Sequence, residues 1–177
     1  MKTISVPTRD QVSADNQAIF DNLKSSLGFV PNLYATIAHS KTALATYMTL
    51  QSAKSSLSVK EREVINLVVS QVNDCRYCLA AHTAIGKMVG FTDAQIIELR
   101  KGRASFDSKL DALAGAVRSI AINRGKADAQ ALQNFYGAGY NEGNLVDAIV
   151  IIGDKTITNY LHGATQVPVD FPEAPAL

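Results

Sequence analysis

Residues 63–82 read Glu-Val-Ile-Asn-Leu-Val-Val-Ser-Gln-Val-Asn-Asp-Cys-Arg-Tyr-Cys-Leu-Ala-Ala-His. The first half, from Val64 to Val72, is apolar nearly all round, as expected of a central, buried helix. Asn73 and Asp74 are poor helix-interior residues but good turn and cap residues, so a break is placed there. A new helix is expected from about Cys75 to Met88. On it Cys75, Cys78 and His82 fall at about 0°, 300° and 340°, on one face. These are the chain's two cysteines and one of its three histidines. On one unbroken helix Glu63 would lie ~18 Å from Cys75. If the two helices fold back as an antiparallel hairpin, Glu63 instead comes opposite residues near His82.

Working outward, Ser58 and Glu61 form a capping box that opens the buried helix. Before it, residues 1–12 read as an extended lead-in. Ser13 caps a helix reaching Leu27, with Gly28 just past its end. Phe29-Val30-Pro31 is a turn, followed by a short helix over Asn32–Ala38 and a longer one over Thr42–Lys54. After the cysteine helix, Gly90 lies near a C-cap. Thr92 and Gln95 make a second capping box for a helix to about Lys101, ended by Gly102. Ser105 is expected to cap a helix over Phe106–Asn123, and another follows over Asp128–Tyr136. Gly137, Gly139 and Gly143 read as a loop, and the last helix runs over about Leu145–Ala164. The β-branched run Ile149–Ile152 has a buried strand as its alternative reading. No segment alternates convincingly with period two, so the fold class is all-α, a bundle of eight or nine helices in a single domain over 1–177.

The chain has 177 residues, 47% apolar and 19% charged, with a net charge of +1. That is ordinary for a folded domain. The absence of a basic stripe argues against nucleic acid as a partner, and no apolar run of ~18 residues suggests a membrane span. The start, M-K-T-I-S-V-P-T-R-D, lacks the apolar core of a signal peptide, which makes the cytoplasm the expected compartment. A C-x-x-C pair in a reducing compartment points to reversible redox or metal chemistry.

A cysteine attacks as its thiolate. Here the helix start near Cys75 would supply partial positive charge. His82, one turn beyond Cys78, can take a proton, and Cys75 is placed to resolve an oxidised Cys78 as a disulfide. Glu63 would orient His82, as the third group of a nucleophile–base arrangement. Zinc prefers four ligands. Glu63, Cys75, Cys78 and His82 supply four on paper, but no second C-x-x-C or H-x3-H supports a metal, and no cofactor is expected. A thioredoxin setting would need βαβ structure. Tyr77 reads as packing or pocket wall and His39 as surface or a helix end, while a pocket or subunit contact is only the lesser reading of His162. Met48 and Met88 read as core or interface filler, and Lys60, Arg62, Lys109 and Asp111 as solvated charges.

The pattern E-x11-C-x-x-C-x-x-x-H at Glu63, Cys75, Cys78 and His82 resembles the AhpD-like alkylhydroperoxidase branch of the carboxymuconolactone decarboxylase family. So do L-S-V-K-E-R-E before it, N-D-C-R-Y-C-L-A-A-H within it and N-Y-L-H-G-A-T-Q-V-P-V-D-F-P near the end, and the likeness is tightest over residues 57–100. The resemblance implies an all-helical fold assembling as homo-oligomers, trimers or hexamers. It also implies reduction of a hydroperoxide substrate at the expense of an external dithiol or protein reductant. Carried over, Cys78 would be the peroxidatic cysteine, Cys75 the resolving one, and Glu63 and His82 the proton relay. Well-known members have a further histidine directly before the second cysteine, where this chain has Tyr77. A phenol donates a hydrogen bond but is a poor base near neutral pH. The family's decarboxylases lack the cysteine pair, which disfavours lactone decarboxylation. The alternative function is a disulfide oxidoreductase or redox sensor that does not react with peroxide.

Overall fold

The long buried helix and the cysteine helix meet at a joint of three residues. α4 (Val59–Val72) ends with Asn73 as its C-cap, and α5 (Arg76–Met88) starts with Cys75 as its N-cap. Between them Asp74 takes a left-handed φ of 49°. Its N–H donates to Gln71 O at 3.2 Å, and the next N–H, of Cys75, donates to Ser70 O at 2.9 Å. These two bonds define a Schellman motif, which satisfies the orphan carbonyls of α4 and reverses the chain. At the end of α5 the same left-handed position is filled by Gly90, with φ 96°.

This computed structural model describes residues 4–177. Among them are nine α-helices, a 3-10 turn at Arg9–Gln11 and no strand, so the all-α expectation holds and Ile149–Ile152 is helical. The other helices are α1 (Ala14–Leu27), α2 (Asn32–Ile37), α3 (Ala43–Gln51), α6 (Asp93–Arg100), α7 (Ser108–Ile122), α8 (Ala129–Gly137) and α9 (Glu142–Thr165). None of the described helices is long and apolar enough to cross a membrane.

The chain forms two compact units, Met1–Lys54 with Leu161–Asp170, and Ser55–Tyr160 with Phe171–Leu177. The first packs Phe20 of α1, Ala35 and Ile37 of α2, and Leu44 and Tyr47 of α3 into one apolar cluster. Buried Asn16 ties α1 down by donating to Ala38 O and Ser40 O at 3.1 and 3.0 Å. The second unit is built on α4, whose residues Glu63–Ser70 are all buried. Val64, Ile65, Leu67, Val68 and Val69 pack with Ile96 and Leu99 of α6, Leu113 and Val117 of α7, and Ala148 and Ile151 of α9. The capping box holds the start of α4: Ser58 N–H donates to Glu61 Oε2 at 2.8 Å, and Glu61 N–H to Ser58 Oγ at 3.3 Å.

Several boundaries differ from the expected ones. The first three residues of the lead-in lie outside the described residues, and the rest of it contains the 3-10 turn. α3 stops at Gln51, short of Lys54. α7 is capped by Asp107, whose carboxylate accepts from Lys109 and Leu110 N–H, and not by Ser105; Ser105 N–H is taken instead by Glu98 Oε1 at 2.6 Å. Gly137 and Gly143 lie inside helices. α9 starts early because Asn141 and Asn144 accept each other's N–H at 2.9 and 3.0 Å. Met88 is 85% exposed and is not core. Lys60 and Lys109 sit over the rings of Phe91 and Tyr140, and Asp111 accepts Ala104 N–H at 2.7 Å.

Asp74 is the least favourable residue of the reversal, since a left-handed φ is tolerated by Asp but resisted by branched side chains. Asp74→Val should lower the stability to urea by about 1–2 kcal/mol, while Asp74→Gly should leave it equal or higher. Equal midpoints for the Val variant and the parent would show that the turn does not depend on this backbone state.

Candidate active site

The reversal lays α5 back along α4 and brings two residues 19 apart into contact. Glu63 Oε2 lies 2.8 Å from His82 Nδ1, both side chains being buried. The other carboxylate oxygen, Oε1, accepts from Asn66 Nδ2 at 2.8 Å. Burial alone would push the Glu63 carboxyl up. The charge and hydrogen bond of His82, the Asn66 amide and the charge of Lys155 outweigh it and hold the group below its usual range. An ionised carboxylate only accepts, so His82 Nδ1 carries the hydrogen and Nε2 is the nitrogen left to exchange a proton.

Cys75 and Cys78 are free thiols, each 2% exposed. Cys75 caps α5 with its sulfur, accepting Cys78 N–H at 3.3 Å. The amide expected to favour a thiolate on Cys78 is therefore spent on its neighbour. The surroundings shift the two thiols in opposite directions. The hydrogen bond from Cys75 pulls the Cys78 thiol down to about 6 against the opposing effect of burial, and the charges of Lys155 and His82 and the side chain of Asn159 add to the shift. Cys75, donating that bond and facing the resulting thiolate, is raised. The arrangement favours ionisation of the second cysteine over the first.

The structure thus brings together Glu63 and His82, and Cys75 and Cys78, on the same helical hairpin. Tyr77 is buried and meets Phe171 edge-on at 5.7 Å between ring centres, as a packing residue would. His39 is exposed and bonded to Ser5 O at 2.8 Å, and His162 is buried near the end of α9. Among the described residues no group of three His, Cys, Asp or Glu side chains is arranged to hold a metal ion. Reading the sequence alone missed the contribution of α9. Asn159, 2% exposed, accepts from Asn73 Nδ2 at 2.9 Å and donates to Ser70 Oγ at 3.4 Å, and buried Lys155 lies one turn before it. The available signal was the recurrence of polar Lys155, Thr158, Asn159 and His162 at helical spacing within an apolar helix.

An all-helical fold with a C-x-x-C at the start of one helix and a Glu–His pair across the preceding turn is the arrangement that the sequence resemblance implies. Residues 38–119, which contain the whole motif, match the model of the carboxymuconolactone decarboxylase family. Among solved structures, a peroxidase-related protein from Silicibacter sp. TM1040 superposes with a TM-score of 0.82 at 24% identity, covering 94% of this chain and 91% of that one. An alkylhydroperoxidase AhpD core protein from Ralstonia eutropha JMP134, also peroxidase-related, gives 0.82 at 19% identity, with 96% and 94% covered. The debrominase Bmp8 in complex with 2,3,4-tribromopyrrole gives 0.78 at 13% identity, with 96% and 92% covered. At these identities the likeness establishes the fold. Comparison with curated proteins returns no match.

Alkylation of Cys78 by iodoacetamide, followed by mass spectrometry of each cysteine, should show a midpoint at about pH 6. Below it the thiolate, and with it the rate, should fall about tenfold per pH unit. Cys75 should stay unreactive until alkaline pH. Cys75→Ala removes the largest cause of the shift and should move the Cys78 midpoint upward by about one unit or more.

Proposed function

We propose that this chain is a thiol-dependent peroxidase that reduces hydroperoxides through a Cys75–Cys78 dithiol/disulfide cycle. The observation that carries the reading is the buried Glu63–His82 pair, held at 2.8 Å on the hairpin that presents Cys78. The Cys78 thiolate attacks one peroxide oxygen; the S–O bond forms as the O–O bond breaks. The departing alkoxide takes a proton, supplied through His82 Nε2, and leaves as an alcohol, or as water from hydrogen peroxide. Glu63 holds the imidazole in the tautomer that can do this. Cys78 is left as a sulfenic acid. Cys75 then attacks the Cys78 sulfur, the S–S bond forms and water departs. An external dithiol, free or carried by a reductant protein, breaks that disulfide by exchange and becomes oxidised itself.

The burial of both sulfurs favours a small oxidant over a protein disulfide, which supports peroxide reduction above the disulfide-carrier alternative. A peroxidase of this kind depends on a reducing compartment such as the cytoplasm for its dithiol. The reading also includes self-assembly into trimers or hexamers. α9 leaves Val146, Ile149, Val150, Ile157 and Tyr160 exposed, an apolar stripe of the kind that interfaces cover.

Cys78→Ser should abolish peroxide consumption in a dithiol-coupled assay. Cys75→Ser should let dimedone trap a sulfenic acid on Cys78 after one equivalent of peroxide. Peroxide turnover at the parent rate by Cys78→Ser would remove the mechanism. Light scattering should give a mass of three or six chains, reduced by Ile149→Lys; a monomeric parent chain would exclude the assembly.

A further inference from the structure

The polar face of α9 has no part in the hairpin motif, yet it is buried against it. Asn159 bridges both sides of the reversal. Its carbonyl oxygen is taken by Asn73 Nδ2 at 2.9 Å, which turns its NH2 toward Ser70 Oγ at 3.4 Å. Ser70 is also the residue whose carbonyl receives the Cys75 N–H at 2.9 Å. The NH2 therefore sits at the cysteine end of the joint, where the Asn159 side chain favours the charged form of both thiols. Lys155, one turn earlier on the same face and 3% exposed, carries a charge that favours the ionised forms of Glu63 and Cys78. A lysine buried among ionisable groups is costly to keep without a charge to serve.

We propose that α9 supplies the anion-stabilising half of the dithiol site, with the Asn159 amide donating to the sulfurs and the Lys155 ammonium balancing the charge on Cys78. The groups facing Cys78 are then complete: Cys75 and His82 on its own helix, Lys155 and Asn159 on α9, and Glu63 on α4 acting through His82 and Lys155. Both α9 groups favour the reduced, thiolate form; in the disulfide Asn159 has no thiolate to serve and Lys155 keeps only the charge of Glu63. They therefore make the pair a stronger oxidant, as stabilising a thiolate does in other dithiol pairs. The inference deepens the peroxidase reading, but its readouts use no peroxide.

The experiment uses the full chain with Asn159→Asp and Lys155→Met, both close in size to the native side chains, and Lys155→Arg as the charge-preserving control. The pH dependence of Cys78 alkylation is measured first. The protein is then equilibrated with reduced and oxidised dithiothreitol. In that exchange two electrons pass from the reagent to the protein, whose S–S bond breaks as the reagent's cyclic disulfide closes. Asn159→Asp and Lys155→Met should each move the alkylation midpoint upward by about one pH unit and favour the protein disulfide by about tenfold, while Lys155→Arg stays near the parent on both. Parent-like midpoints and equilibria in both variants would overturn the proposal. On the unmutated protein, the Asn159 side-chain NH2 signals in a 15N–1H spectrum should shift with the same midpoint as Cys78. Signals that stay fixed through that titration would overturn it independently of how any variant folds. Loss of peroxide turnover in the parent chain would sink the peroxidase reading and leave these outcomes intact.

Discussion

A carboxylate inside an apolar helix must find a partner or give up its charge, and that constraint organises the second unit. Glu63 lies within a run of eight consecutive buried residues on α4. Left alone there, it would be protonated or would destabilise the fold, since breaking a buried ion pair costs about 3–5 kcal/mol. His82 and Asn66 satisfy it, and His82 can do so only because the chain turns back within three residues. The requirement to satisfy Glu63 and the requirement to bring an imidazole alongside a dithiol are met by one geometry.

The joint itself is economical because its residues serve two helices. Cys75 is the last residue of the motif that closes α4 and the first cap of the helix that follows. Asp74 between them takes the left-handed backbone state at a position where glycine is more usual. Asn73, the C-cap, also reaches α9 through Asn159. Three consecutive side chains are thus committed to stopping, reversing and restarting the chain, and the thiol pair is positioned as a by-product of that local hydrogen bonding.

What could be read in advance was local. The capping boxes at Ser58 and Thr92, the break at Asn73-Asp74 and the shared face of Cys75, Cys78 and His82 all depend on residues within a few positions of one another. The meeting of Glu63 with His82 also followed, because a sharp turn leaves little freedom in how the two helices return. Boundaries set by tertiary contacts did not follow. Ser105 and Asp107 are both competent caps, and the helix is capped by Asp107, whose carboxylate accepts from Lys109 and Leu110 N–H. Gly143 looked like loop, but reciprocal asparagine caps draw it into α9. Met88 read as core or interface filler, and its exposure removes the first of these. The α9 contribution was least legible, since Asn159 lies 86 residues from its partner Asn73 and nothing local links the two.

The sulfur of Cys75 that caps α5 carries one more implication. A thiol or thiolate sulfur accepts the Cys78 N–H well enough to hold the first turn of that helix, whereas a sulfur locked into a disulfide with Cys78 is a poorer acceptor and is constrained in direction. Removing an N-cap costs about 0.5–2 kcal/mol of helix stability. Oxidation of the pair to a disulfide would therefore loosen the backbone around Arg76–Cys78, and by thermodynamic linkage anything that rigidifies that turn would resist oxidation. Amide hydrogens of the first turn of α5 become a built-in reporter of redox state, exchanging faster with solvent deuterium in the disulfide form than in the dithiol form.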